Sequence, residues 1–240
     1  MKKSEKLEFL CVKLAGFPLD WDEIVRRFRA HPRFDPEQQF DFQNYRKYFS
    51  ELQLDAALES VATSCPGLNM QFDPPVSSSK SGTYCYSYSQ GRRLFVCYPN
   101  RYDLQIAEYD RVAIVDSLPV IFEVRLTRWY HSPATYTKKR GGRKFPHRKA
   151  IKYCLEPDRY NRILAPARSF FGRDVGYVMI IGDKEYRTSQ NSECARAFRE
   201  NNGILVPFGL TREEFREQAF KVIEENRLPL RLFLQDRIAV

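Results

Sequence analysis

The stretch Glu108–Arg125, E-Y-D-R-V-A-I-V-D-S-L-P-V-I-F-E-V-R, limits what this chain can fold into more than any other. Two apolar, β-branched runs, Val112–Val115 and Val120–Val124, flank Asp116-Ser117-Leu118-Pro119, the pattern of a β-hairpin with a polar, proline-marked turn. Side chains alternate faces along a strand, so Glu123 and Arg125 share a face that Phe122 and Val124 do not. A loop of two or four residues puts Asp110 on that face too. Set opposite Arg125, Asp110 stands diagonal to Glu123, with Cβ atoms roughly 7–8 Å apart. A divalent ion fits between two such carboxylates. Few structural needs put three charges on one face of such apolar strands.

This stretch resembles the core motif of the PD-(D/E)XK nuclease superfamily, with its restriction-endonuclease-like fold. Asp110 matches the motif Asp, Glu123 the second acidic residue and Val124 the variable position, with a separation of 123 − 110 = 13. Arg125 departs from the pattern, standing where the family has Lys. The resemblance implies an α/β fold, a mixed sheet flanked by helices. It also implies hydrolysis of phosphodiester bonds, most naturally in DNA, with Mg²⁺ or Mn²⁺ as cofactor. The metal ligands would be Asp110, Glu123 and the Val124 carbonyl. In the family the helix before the sheet often adds a carboxylate, for which Glu51 is the first candidate here and Glu59 the second. Asp110, Glu123 and Arg125 are then the catalytic set. Arg is protonated at any ordinary pH and is a poor general base. It can still clamp a phosphate or orient water, or Lys149 or Lys152 can take the missing position. The other outcome is a catalytically silent domain that binds nucleic acid or scaffolds a nucleoprotein complex.

The net charge of +9 over 240 residues agrees with a polyanionic partner. It concentrates after the motif. Lys138, Lys139, Arg140, Arg143, Lys144, Arg148, Lys149 and Lys152 surround Gly141-Gly142 within a flexible basic segment, residues 128–152. Such a loop binds a phosphate backbone by counterion release, and DNA is the preferred partner over RNA. The six cysteines are scattered and contain no C-x-x-C pair, which argues against a structural zinc site. No apolar run approaches the ~20 residues that span a bilayer, so no membrane is expected and the location is intracellular, cytoplasmic or nucleoid-associated. Two-strand cleavage would require paired sites in a homodimer.

The rest of the chain supplies helices and strands around this motif. Residues 1–45 read as a helical N-terminal attachment to a core of residues 46–240, with helices over Ser4–Leu14 and Asp20–Ala30. Arg26, Arg27 and Arg29 form the polar side of the second helix, as an accessory basic surface or as part of a cap on the core. Tyr45–Cys65 is a helix whose Leu54, Leu58, Val61, Ala62 and Cys65 face the core. Thr83–Ser89 and Leu94–Tyr98 form a second hairpin, with Tyr84, Tyr86 and Tyr88 on one face as a candidate base-stacking row. A helix from Pro146, interrupted at Pro157, precedes a helical stretch to Phe171, the buried strand Val175–Ile181, a helix Ser192–Glu200 and a strand Gly203–Phe208. Thr211 and Glu214 are spaced as a capping box for the last helix.

Overall fold

The computed structural model describes residues 3–32, 34–76, 83–89, 92–99, 101–125, 137–140, 143–146, 157–172, 174–182 and 193–231. It is an α/β structure with a mixed five-stranded sheet, a three-stranded antiparallel sheet and helices against both.

Three helices come first: α1 (Lys3–Ala15), α2 (Trp21–Ala30) and α3 (Phe42–Ser64). Short polar side chains start two of them. Asp20 accepts from the Glu23 amide at 3.0 Å and Asp41 from the Asn44 amide at 2.7 Å, satisfying donors that have no intrahelical partner. The strands β1 (Met70–Phe72), β2 (Cys85–Tyr88), β3 (Leu94–Tyr98), β4 (Arg101–Tyr109), β5 (Arg111–Val115) and β6 (Leu118–Arg125) follow. A ribbon of β7 (Thr137–Arg140) and β8 (Arg143–Pro146) comes next. Then come α4 (Pro157–Phe171), β9 (Gly176–Ile181), α5 (Glu193–Glu200), β10 (Gly203–Pro207) and α6 (Arg212–Glu225).

The large sheet has the order β1-β5-β6-β9-β10. The first three strands pair antiparallel; β9 lies parallel to β6, and β10 parallel to β9. A crossover through α4 links β6 to β9, and one through α5 links β9 to β10, as parallel neighbours require. Every residue of β9 is buried, which its unbroken apolar run demands of a strand covered on both faces. One face carries Phe122, Val124, Val178 and Ile180 against Leu10 and Leu14 of α1 and Leu54 and Leu58 of α3. The other carries Val112, Ile121, Tyr177 and Met179 against Leu94, Val96 and Tyr86 of the small sheet and Leu164 of α4. A third cluster joins Phe28 of α2, Tyr45 and Phe49 of α3 and Phe215 of α6. Both N-terminal helices are thus seated on the rest of the chain by apolar contacts. The arginines of α2 are engaged within the protein: Arg26 and Arg27 pair with Glu23, Arg27 also with Glu59, and Arg29 donates to the Asn226 carbonyl.

Three expectations need correction. The hairpin loop is Asp116-Ser117 alone, because Leu118 and Pro119 already pair with Val115 and Ile114. Both loop residues have positive φ, 47° and 68°, the pattern of a two-residue turn whose twist matches its strands. Pro146 closes β8 rather than opening a helix, and Pro157 is the first residue of α4, where a missing amide proton costs nothing; the rest of the helix expected before Pro157, residues 147–156, lies outside the described residues. Residues 137–140 and 143–146 of the basic segment are a paired ribbon in register Thr137↔Pro146 through Arg140↔Arg143, not irregular loop. Arg148, Lys149 and Lys152 lie outside the described residues.

Candidate active site

The centre of the site is a corner in the chain. Strand β4 of the small sheet ends at Tyr109, and β5 of the large sheet begins at Arg111. Asp110 is the single residue between them. It is 3 % exposed, and its Oδ2 accepts from the Val124 amide at 2.8 Å. The last ladder pair is Arg111↔Phe122, so one further step sets Asp110 across from Glu123. The diagonal placement expected from the sequence is therefore corrected to a directly opposed one, because the loop is the shorter of the two allowed lengths. A shift of two residues keeps the face, and Asp110, Glu123 and Arg125 line one cleft of about 520 Å³.

Arg111 fixes the corner from behind. Its guanidinium pairs with both carboxylate oxygens of Asp55 on α3 and donates to the backbone carbonyl of Asp110. Asp55 and Arg111 are both buried. This forked pair ties α3 to the residue that begins the site.

Glu123 is 5 % exposed and forms an ion pair with the Arg125 guanidinium at 2.6 Å. Burial, and then the negative charge of Asp110, push its carboxyl up to about 8, with the Arg125 guanidinium opposing the rise. Its Oε2 is buried and accepts no hydrogen bond. Glu51, from α3, is equally buried. Its pKa is raised first by burial and then by Asp110, which sets it beside the same acid. Of the two acids proposed on α3, Glu51 reaches this cluster. Glu59 instead pairs with Arg27 and Arg92.

The structure also brings in residues that the sequence did not single out. Arg93 donates to Glu51 Oε2 at 2.5 Å and to Glu108 Oε1 at 2.8 Å, with its Nε 3.8 Å from Asp110 Oδ1. Lys47 Nζ stands 3.5 Å from Glu51 Oε1. Lys47, Glu108 and Arg162 of α4 line the cleft with Asp110, Glu123 and Arg125. Lys47 precedes Glu51 by one helical turn, a spacing visible in the sequence. Nothing local marked Arg93, since its partners come from α3 and from β4, a strand with no clear sequence pattern. The tyrosine row divides. The Tyr86 hydroxyl donates to the Pro166 carbonyl at 2.9 Å and that of Tyr88 to the Pro74 carbonyl at 3.1 Å, so these two serve packing. Tyr84 lines the cleft beside Tyr98, ring centroids 6.2 Å apart.

Among the described residues, no group of three or more His, Cys, Asp or Glu side chains stands as a ready set of metal ligands. Guanidinium groups lie between the carboxylates instead. The donors still suit a hard divalent ion in kind: carboxylate oxygens, among them a buried Glu123 oxygen that lacks a hydrogen-bond partner. Among the described residues no helix is long and apolar enough to cross a membrane. Comparison with known proteins finds no matching family model, no similar curated protein and no similar solved structure.

Proposed function

We propose that this protein is a metal-dependent nuclease that hydrolyses phosphodiester bonds, with DNA as substrate, and that its fold is of the restriction-endonuclease-like type. The observation that carries this reading is the opposition of Asp110 and Glu123 on one cleft wall, with Glu51 converging from α3. The order α3, then β1, β5 and β6 antiparallel, then α4 and a parallel β9, supports the same reading, since it follows the αβββαβ arrangement of that superfamily. Glu123 and Arg125 also lie toward the carboxyl end of β6, where β6 and β9 run parallel, the end at which open α/β sheets present their sites.

Asp110, Glu123, Glu51 and the Val124 carbonyl would hold Mg²⁺ or Mn²⁺, which would supply an acidified water and neutralise charge on the phosphate. The chain's own residues do the rest. Arg125 presents a planar fork to a phosphate oxygen, and Arg162 and Lys47 add positive charge along the cleft. Arg111 and the Val124 amide hold Asp110 in one orientation, so no rearrangement is needed at the corner. The basic ribbon β7–β8, directly downstream in sequence, carries Lys138, Lys139, Arg140, Arg143 and Lys144 for the DNA backbone.

A second reading rests on a specific observation. One carboxylate oxygen of Glu51 and one of Glu123 are already paired with Arg93 and Arg125, which offsets their charge without any metal. This favours a silent nuclease-like domain that binds nucleic acid or scaffolds a complex. A cleavage assay on single-stranded, duplex and branched DNA, with and without Mg²⁺ or Mn²⁺, separates the two. Metal-dependent cleavage of one of these forms is the expected result, and binding without cleavage of any form would assign the second reading.

A further inference from the structure

We infer that Arg93 is the resident cation of the carboxylate cluster, and that a divalent ion enters the site by exchanging with its guanidinium. This inference rests on the metal-dependent reading above and names the residue that regulates entry to that site. Arg93 directs three edges of one planar group toward three different acids, Glu51, Glu108 and Asp110. A cation that gathers three carboxylates from α3, from the end of β4 and from the corner after it stands where a metal would gather them. Its side chain is 13 % exposed. Burial works against its charge, but Glu51, Asp110 and Glu108 outweigh burial and hold it protonated. The buried, unpartnered Glu123 Oε2 beside this cluster is an acceptor that the arginine leaves unfilled.

Arg93 is delivered by the turn between β2 and β3, where the Ser89 amide donates to its carbonyl at 2.9 Å and its own amide donates to Ser89 Oγ at 3.2 Å. The neighbouring Arg92 points to a separate set, Asp73 and Glu59. Two adjacent arginines thus tie the turn of the small sheet to α3 at two points, and only Arg93 reaches the Asp110 cluster. A metal ion drawn in by Glu51 Oε2 and Asp110 Oδ1 would meet the Arg93 guanidinium on those same oxygens, and the repulsion of the two at short range in a poorly solvated site is large. Metal binding therefore requires the guanidinium to leave, and the apparent metal affinity is lowered by the work of displacing it.

The test is metal binding itself, read without catalysis. Tb³⁺ is titrated into the full chain, followed by luminescence sensitised through Tyr84 and Tyr98, which line the same cleft, and Mn²⁺ is then used as competitor. Arg93→Met should tighten Mn²⁺ binding at least about tenfold, the size of a typical coupling between two competing ligands, with Arg93→Lys intermediate. Arg92→Met should leave it unchanged. A wild-type measurement guards against a variant that fails to fold. The Arg93 Nε–H resonance should be protected from exchange in EDTA and lose that protection in Mg²⁺. If Arg93→Met binds Mn²⁺ no better than wild type, or if Arg93 keeps its protection in Mg²⁺, the inference is overturned. Wild-type cleavage in the same buffer would then leave the nuclease reading standing. Absence of Mn²⁺ binding by wild type and variants alike would overturn both.

Discussion

At the scale of single residues, Glu123 makes the most direct statement about the site. A carboxyl buried beside Asp110 binds its proton more tightly in the folded chain than in the unfolded one, with a folded value of about 8. The sign follows from that direction. The folded state holds the extra proton between the ordinary carboxylate range and about pH 8, so stability falls as pH rises through this window. Each pH unit that separates the folded from the unfolded value is worth about 1.4 kcal/mol. Glu123→Gln has no proton to lose, so its melting temperature should gain on wild type steadily from pH 5 to pH 8.5. A difference that stays flat across this range in thermal melts would contradict the buried-acid assignment. Arg125 tests the chemistry beside it. If its fork supports the transition state, Arg125→Ala should lose roughly 10²–10³ in cleavage rate, as when one preorganised donor is removed. Arg125→Lys should keep or raise the rate, since it restores the pattern of the superfamily that the motif resembles.

At the scale of elements, two features are open to test. The first is the Asp55–Arg111 pair, which links α3 to the corner at Asp110. Removing one partner of a buried pair leaves the other uncompensated, so Asp55→Ala should cost about 3–5 kcal/mol in denaturant unfolding. A loss below about 1 kcal/mol would show that water reaches the arginine. The second is the basic ribbon β7–β8, proposed to bind the DNA backbone. Replacing Lys138, Lys139, Arg140, Arg143 and Lys144 by Ala should weaken DNA binding. It should also flatten the slope of log K against log salt by up to about 0.9 for each phosphate no longer neutralised. An unchanged slope would show that the ribbon does not touch the backbone. The elements also mark where the sequence stops being legible. The hairpin β5–β6 was legible because β-branched runs around a short polar turn have few other solutions. The length of its loop was not: Leu118-Pro119 reads as turn, yet Pro119 can sit in a strand where its nitrogen is not required to donate. Strand β4 was missed altogether. Its first half, Arg101-Tyr102-Asp103, is polar, with Arg101 and Leu104 exposed, and carries no apolar alternation to announce it. Arg93 escaped with it, since a side chain whose partners are distant in sequence has no local signature.

At the scale of the whole molecule, the large sheet carries opposed acids on one face and takes its helices on both. The small sheet closes the cleft by turning at Asp110. The site therefore lies where two sheets and α3 meet, held by Arg93 and Arg111 rather than by apolar packing alone. The central claim is that Asp110 and Glu123 act as one metal-holding pair in DNA cleavage. The direct measurement compares Mn²⁺-dependent cleavage of end-labelled DNA by wild type, Asp110→Ala and Glu123→Ala, alongside their DNA affinities in EDTA. The account predicts cleavage by wild type alone. Both variants should bind DNA as tightly or more tightly, because removing a carboxylate relieves repulsion of phosphate. Cleavage at the wild-type rate by either variant would contradict it.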